Sequence, residues 1–75
     1  MCSYPTINLV KTGANILALR LRRGFTVRAL QQELGFATPQ AIYKWQQGIT
    51  LPSVDNLVAL AAILDVSIDE ILVVD

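Results

Sequence analysis

The stretch TVRALQQELGFATPQAIYKWQQG, residues 26–48, places two short amphipathic segments on either side of a glycine turn. Thr26 offers a side-chain oxygen to the free N–H groups of a first helical turn, so it reads as the N-cap of VRALQQEL. Leu30 and Leu34, four apart, share a face of that helix, and Gly35 ends it. After Phe36 and Ala37 a second start follows. Thr38 reads as its cap and Pro39 as its first helical residue, where the missing N–H costs nothing and the fixed φ suits a helix. In the helix predicted over 39–47, Ile42 and Trp45 fall on one side. Gln40, Tyr43, Lys44 and Gln47, at i, i+3, i+4 and i+7, fall on the other, and Gly48 is the stop.

Working outward, residues 1–12 (MCSYPTINLVKT) carry Pro5 and a β-leaning TINLV without helical period, which predicts an extended arm. A helix is expected from about Gly13 through Arg23, with Ile16, Leu19 and Arg20 on one face, Leu17 and Leu21 flanking it, and Gly24 as the stop. Downstream, Pro52 and Ser53 open VDNLVALAAIL, with Ser53 as cap, Asp55 in the first turn and Leu57, Leu60, Ala61 and Leu64 as an inward stripe. Ser67-Ile68-Asp69-Glu70 is a capping box that starts a last short helix, IDEIL. The expected architecture is all-α: an arm at 1–12, then a five-helix domain over 13–75.

The chain has 75 residues, of which 53% are hydrophobic and 16% charged, the balance of one small folded domain. No apolar run approaches the roughly 18 residues a membrane span needs and no signal-peptide pattern is visible, so a soluble cytoplasmic protein without membrane contact is expected. There is no histidine, and Cys2 is the single cysteine. That excludes an internal disulfide, a Cys/His zinc site and a histidine-based catalytic triad. The carboxylates form no recognised metal loop and there is no glycine-rich phosphate cradle, so no metal, no cofactor and no enzymatic activity are expected. The zero net charge conceals an asymmetry. All six basic residues and only Glu33 among the acids lie in residues 1–50, giving +6 − 1 = +5, while residues 51–75 hold the other five acids and no base, giving −5. Two faces of opposite sign follow.

Two short helices joined by a turn that begins with glycine, the second presenting a polar outer face, make a helix-turn-helix pattern at about 26–48. The surrounding residues sharpen it: an Arg four residues before Gly24, the W-x-x-G of Trp45 to Gly48, the Pro52-Ser53 opening, and an L-x-x-L-A followed by V-S-I-D-E-I-L. With these, the chain over roughly residues 13–72 resembles the Xre family of phage and bacterial repressors, typified by the lambdoid repressor and Cro proteins. The resemblance implies sequence-specific binding of double-stranded DNA with the helix at 39–47 in the major groove. It implies base reading by Thr38, Pro39, Gln40, Tyr43 and Lys44. The chemistry of several of these agrees: Gln pairs bidentately with adenine, Lys donates to guanine, and Tyr packs on a thymine methyl or donates to a phosphate. Contacts to the DNA backbone are expected from Thr26, Val27, Arg28 and Gln47, with Arg22 and Arg23 as further candidates, and from the N-terminal ends of the helices beginning at 27 and 39. Ile42 and Trp45 are expected to be core, and Arg20 and Gln46 structural.

Three features depart from the family pattern. The turn is one residue longer, with Phe36-Ala37 between Gly35 and Thr38. Val27 stands where a polar residue is common. Gln46 replaces the usual Glu partner of the helix-1 Arg, which leaves Arg20 hydrogen-bonded only to Gln46 and freer to face DNA. The expected function is a small transcriptional regulator that binds operator DNA as a homodimer. A repressor is favoured, since 75 residues leave no room for a separate activation or sensing domain. Two alternatives stand beside it: a protein-interaction module on the same fold without DNA binding, and the antitoxin of a toxin pair whose acidic half grips a basic partner. For Leu17, Leu21 and the tail Ile71 to Val74, a dimer surface and packing against an arm at Thr6 to Val10 are equally weighted.

Overall fold

A computed structural model describes residues 5–75; the first four residues of the expected arm, Cys2 included, lie outside the described residues. Five helices follow one another: α1 (Leu9–Arg22), α2 (Val27–Leu34), α3 (Gln40–Gln46), α4 (Val54–Leu64) and α5 (Ile68–Ile71). None of them is long and apolar enough to cross a membrane.

Helix α1 begins four residues before the expected Gly13, so Leu9 to Thr12 are helical and not part of an extended arm. The reason is Asn8, whose side-chain oxygen accepts from the Lys11 N–H at 2.8 Å and caps the helix. Gly13, which looks like a start, is instead an interior residue at the closest approach of α1 and α3. A Cβ there would collide with the Trp45 carbonyl oxygen and stand 2.9 Å from that of Gln46.

What remains of the arm pairs with the other end of the chain. Ile7 and Val74 form an antiparallel bridge, the Asn8 N–H donates to the Val73 carbonyl at 2.8 Å, and the Asp75 N–H donates to that of Thr6 at 2.9 Å. The buried Thr12 hydroxyl accepts from the Val73 N–H at 2.9 Å. Asn15 holds the carbonyls of Glu70 and Ile71 from the next turn of α1. The tail is therefore engaged within the molecule, and Ile71 is fully buried.

All five helices contribute to one core, made of Ile16, Leu19, Leu30, Ile42, Trp45, Leu57, Leu60, Leu64 and Ile71. On α1, α3 and α4 the buried positions follow the expected helical spacing; α2 and α5 bury Leu30 and Ile71 alone, and the expected Leu34 and Ala61 are half-buried against the core. Phe36, in the turn between α2 and α3, packs the edge of its ring against Trp45 with centroids 5.8 Å apart. That contact seats the turn on the core and fixes where α3 lies relative to α2.

Candidate nucleic-acid interface

The site begins with two helix starts. At α2, the Thr26 side chain accepts from the Ala29 N–H at 3.0 Å, which leaves the earlier N–H groups of the helix directed outward without an intrahelical partner. At α3 the expected cap fails. Pro39 is the N-cap, at φ −86° and ψ 3°, and no side chain caps the helix, so α3 starts at Gln40 and Thr38 stays in the turn. Pro39, at ψ 3°, sits in the bridge region short of full helical geometry, so the first regular turn begins one residue later than expected, at Gln40. The helix is thus seven residues, ending at Gln46 with Gln47 as its C-cap.

The turn before α3 is held from three directions. Gly35 adopts φ +73°, the left-handed conformation that a helix stop of this kind favours in glycine. The Phe36 N–H then donates to the Gln31 carbonyl at 3.0 Å, and the Gln31 side-chain amide donates to the Phe36 carbonyl at 3.2 Å. With the Phe36–Trp45 contact, the turn is a fixed spacer between the two helices.

On α3, Ile42 is fully buried and Trp45 nearly so, while Gln40, Tyr43, Lys44 and Gln47 are exposed. Thr38 is exposed and Pro39 half-buried. On α2, Arg28 is exposed beside a half-buried Val27. Tyr43 and Pro39 line a shallow concavity of about 390 Å³ together with Val27, Arg28, Gln31 and Gln32. Two glutamines of α2 thereby join the candidate set that the sequence reading did not single out. The signal was available: Arg28 and Gln32 are four apart and so share a face. Arg22 and Arg23 are exposed at the end of α1 and do not line this concavity.

Arg20 and Gln46 lie behind that surface. The Arg20 Nε donates to Gln46 Oε1 at 2.9 Å, and Nη1 donates to the Phe25 carbonyl at 2.8 Å. With 8% of its surface exposed, Arg20 is directed inward and not freed toward an outside partner. With an amide at position 46 the bond is a charge-assisted hydrogen bond and not an ion pair, and the Phe25 carbonyl takes up a second donor. The guanidinium thus ties α1 to α3 and to the segment that leads into α2.

No curated protein sequence matches the chain. Among the solved structures that share its fold are a controller protein and a DNA-binding domain. The restriction-modification controller protein C.AhdI from Aeromonas hydrophila superposes with a TM-score of 0.75 at 27% identity, covering 84% of this chain and 94% of that one. The DNA-binding domain of BldD superposes with a TM-score of 0.74 at 19% identity, covering 88% and 94%. The helix-turn-helix family model matches residues 16–71, from the core face of α1 to the end of α5. With the capped α2, the fixed turn and the exposed α3 face all inside that span, the chain belongs to the helix-turn-helix family, in its Xre, lambda-repressor-like branch of DNA-binding regulators rather than enzymes.

Proposed function

We propose that this protein reads a specific sequence in double-stranded DNA by laying α3 in the major groove, and that it acts as a small cytoplasmic transcriptional repressor. The observation that carries the reading is the division of α3 by face: Ile42 and Trp45 anchor it, while Gln40, Tyr43 and Lys44 stand exposed on the other side. Gln40 is assigned to an adenine edge, Lys44 to guanine, and Tyr43 with Pro39 to a thymine methyl. Thr38 lies at the start of this row. The α2 N-terminus, with the free N–H of Val27, the Thr26 hydroxyl and Arg28, is assigned to phosphate, together with Gln47 and Arg23. Gln32, in the concavity shared with Tyr43, extends the set.

One protomer that neutralises about three phosphates has a salt slope of only about −3, and each good base contact adds about 1–3 kcal/mol. Two protomers on half-sites about one helical turn apart gain affinity through effective concentration, so a homodimer is the working form. The C.AhdI controller acts, by its name, in restriction and modification, and its 27% identity over most of both chains supports a regulatory role here.

Selection of bound duplexes from a random DNA library, followed by a salt titration on the enriched sequence, tests the reading. A recovered motif with two related half-sites is expected. Absence of any enriched motif, with no binding even at low salt, would favour a protein partner instead. The five acids and no base in residues 51–75 suit a basic protein, as in an antitoxin pair, and that outcome would move the function to the acidic half.

A further inference from the structure

Two apolar lines on the outside of the molecule take no part in the core. Along α1, Val10, Ala14, Leu17 and Leu21 recur at i, i+4, i+7 and i+11, which sets them in one row. Val10 is 67% exposed and Leu21 62%, with Ala14 exposed and Leu17 half-buried between them. Along α4, Val54, Val58 and Ala62 recur every four residues, and Val54 is 74% exposed and Val58 55%. Single exposed valines are ordinary; continuous rows on a domain this small mark contact surfaces.

The charges beside the rows are opposite. Helix α1 carries no acid, and its exposed Lys11 and Arg22 lie on the same flank of the row. Helix α4 carries no base; Asp55 stands in its first turn and Asp65 caps its end. At 1.5 Å per residue the two cations are separated along the axis by about 16 Å and the two carboxylates by about 15 Å. A symmetric contact of α4 with α4 would set Asp55 and Asp65 against like charges, and α1 with α1 would do the same with Lys11 and Arg22. Of the tail, the other candidate for such a contact, Ile71 is buried and Val73 to Asp75 pair with Thr6 to Asn8, so that only Val74 among its apolar side chains stands exposed, beside Ile7.

We propose that two copies of this chain associate by laying the α1 row of one protomer against the α4 row of the other, with Lys11 and Arg22 facing Asp55 and Asp65. The proposal rests on the reading that the protein works as an oligomer, and names the faces. It uses no residue of α2 or α3 and assigns Arg22 to the protein contact, with Arg23 and Arg28 left for phosphate.

Sedimentation velocity of the full chain without DNA, over a range of concentration and salt, tests it. The wild-type chain is expected to associate, and more weakly as salt shortens the Debye length from about 10 Å at 0.1 M to about 3 Å at 1 M. Leu21→Glu sets an acid against the acids of α4, and Val58→Lys sets a base against the bases of α1. Each variant alone should lose association by about tenfold or more, as removal of a central interface residue does. An equimolar mixture of the two should recover it, because the intact α4 of one variant meets the intact α1 of the other. Circular dichroism checks that each variant is folded. Should either unfold, Lys11→Glu and Asp55→Lys, both at exposed polar positions, make the same pair of experiments. Association of either single variant at the wild-type level, or no recovery on mixing folded variants, overturns the pairing of faces while leaving a dimer in place. A wild-type chain that stays monomeric at every concentration overturns the pairing and the dimer together.

Discussion

At the scale of single residues, two side chains on α3 and one missing side chain on α1 set the terms. Gln40 and Lys44 are four apart on the exposed face of a helix whose other face is immobilised by Ile42 and Trp45. Truncating either therefore leaves the fold alone and removes only what it offers to a partner. Gln40→Ala and Lys44→Ala are each expected to cost about 1–3 kcal/mol of DNA affinity and to relax preference at one base position, measured by competition between the selected site and its single-base variants. A loss uniform over all sequences would reassign that residue to phosphate. Gly13 acts through the core instead. In an exposed helix, replacing Gly by Ala gains about 1 kcal/mol, but here the new methyl meets the Trp45 carbonyl of α3. Overpacking of this kind costs about 1–3 kcal/mol or more, so Gly13→Ala is expected to lower the urea midpoint instead of raising it. This residue also marks a limit of sequence reading. A glycine at the edge of an apolar pattern looks like a boundary, and only the position of α3 shows that it is a close approach. The Arg20–Gln46 bond, by contrast, was expected from the family resemblance and from the place of Arg20 on the face of Ile16 and Leu19, although the second bond of the guanidinium, to the Phe25 carbonyl, was not.

At the scale of elements, the helix stops were the most legible features, since they rest on local chemistry. Gly24, Gly35 and Gly48 all adopt positive φ and close their helices by the same pair of turn hydrogen bonds; Asp65 does so at φ 56° without being glycine. The starts were less legible where a cap competes with β-leaning neighbours. Asn8 is followed by Leu9 and Val10, and the run Thr6 to Val10 reads as strand until the Asn8–Lys11 cap bond is seen. The same segment shows why an element cannot be judged alone. Residues 6–8 do run extended, because Val73 to Asp75 return to pair with them, and pairing across nearly the whole chain leaves no local mark in the sequence. The joint centres on Thr12, fully buried, whose hydroxyl accepts from the Val73 N–H. Thr12→Val keeps the shape and removes the acceptor, leaving a buried donor unpaired at a cost of about 1–3 kcal/mol. Because the hydrogen bonds of the tail run to α1 and to Thr6 and Asn8, the expected result is faster amide exchange in residues 71–75 with little change around α3, read by hydrogen exchange.

At the scale of the whole molecule, the question is how a chain of zero net charge reaches a polyanion. The charge is divided along the sequence, +5 over residues 1–50 and −5 over 51–75, and the fold keeps the division useful by building α2 and α3 wholly from the basic part. How much the acidic half opposes DNA depends on distance and salt. At physiological ionic strength the Debye length is about 8 Å, so carboxylates on other elements are largely screened from phosphates placed, as proposed, against α2 and α3; at 0.01 M it is about 30 Å and the whole charge distribution is felt. Asp69 lies on α5 and Asp75 at the tail, neither on the helices assigned to DNA. The double variant Asp69→Asn, Asp75→Asn should therefore raise the association rate with the selected duplex several-fold at about 0.01 M salt and by less than about twofold at 0.15 M. Stopped-flow measurements at the two salt concentrations make the comparison. Equal acceleration at both would mean that these carboxylates stand beside the phosphates, and the bound face would then have to include the C-terminal end of the domain. The expected difference between the two salts follows from the proposed docking, in which the basic half alone of a neutral chain faces the duplex.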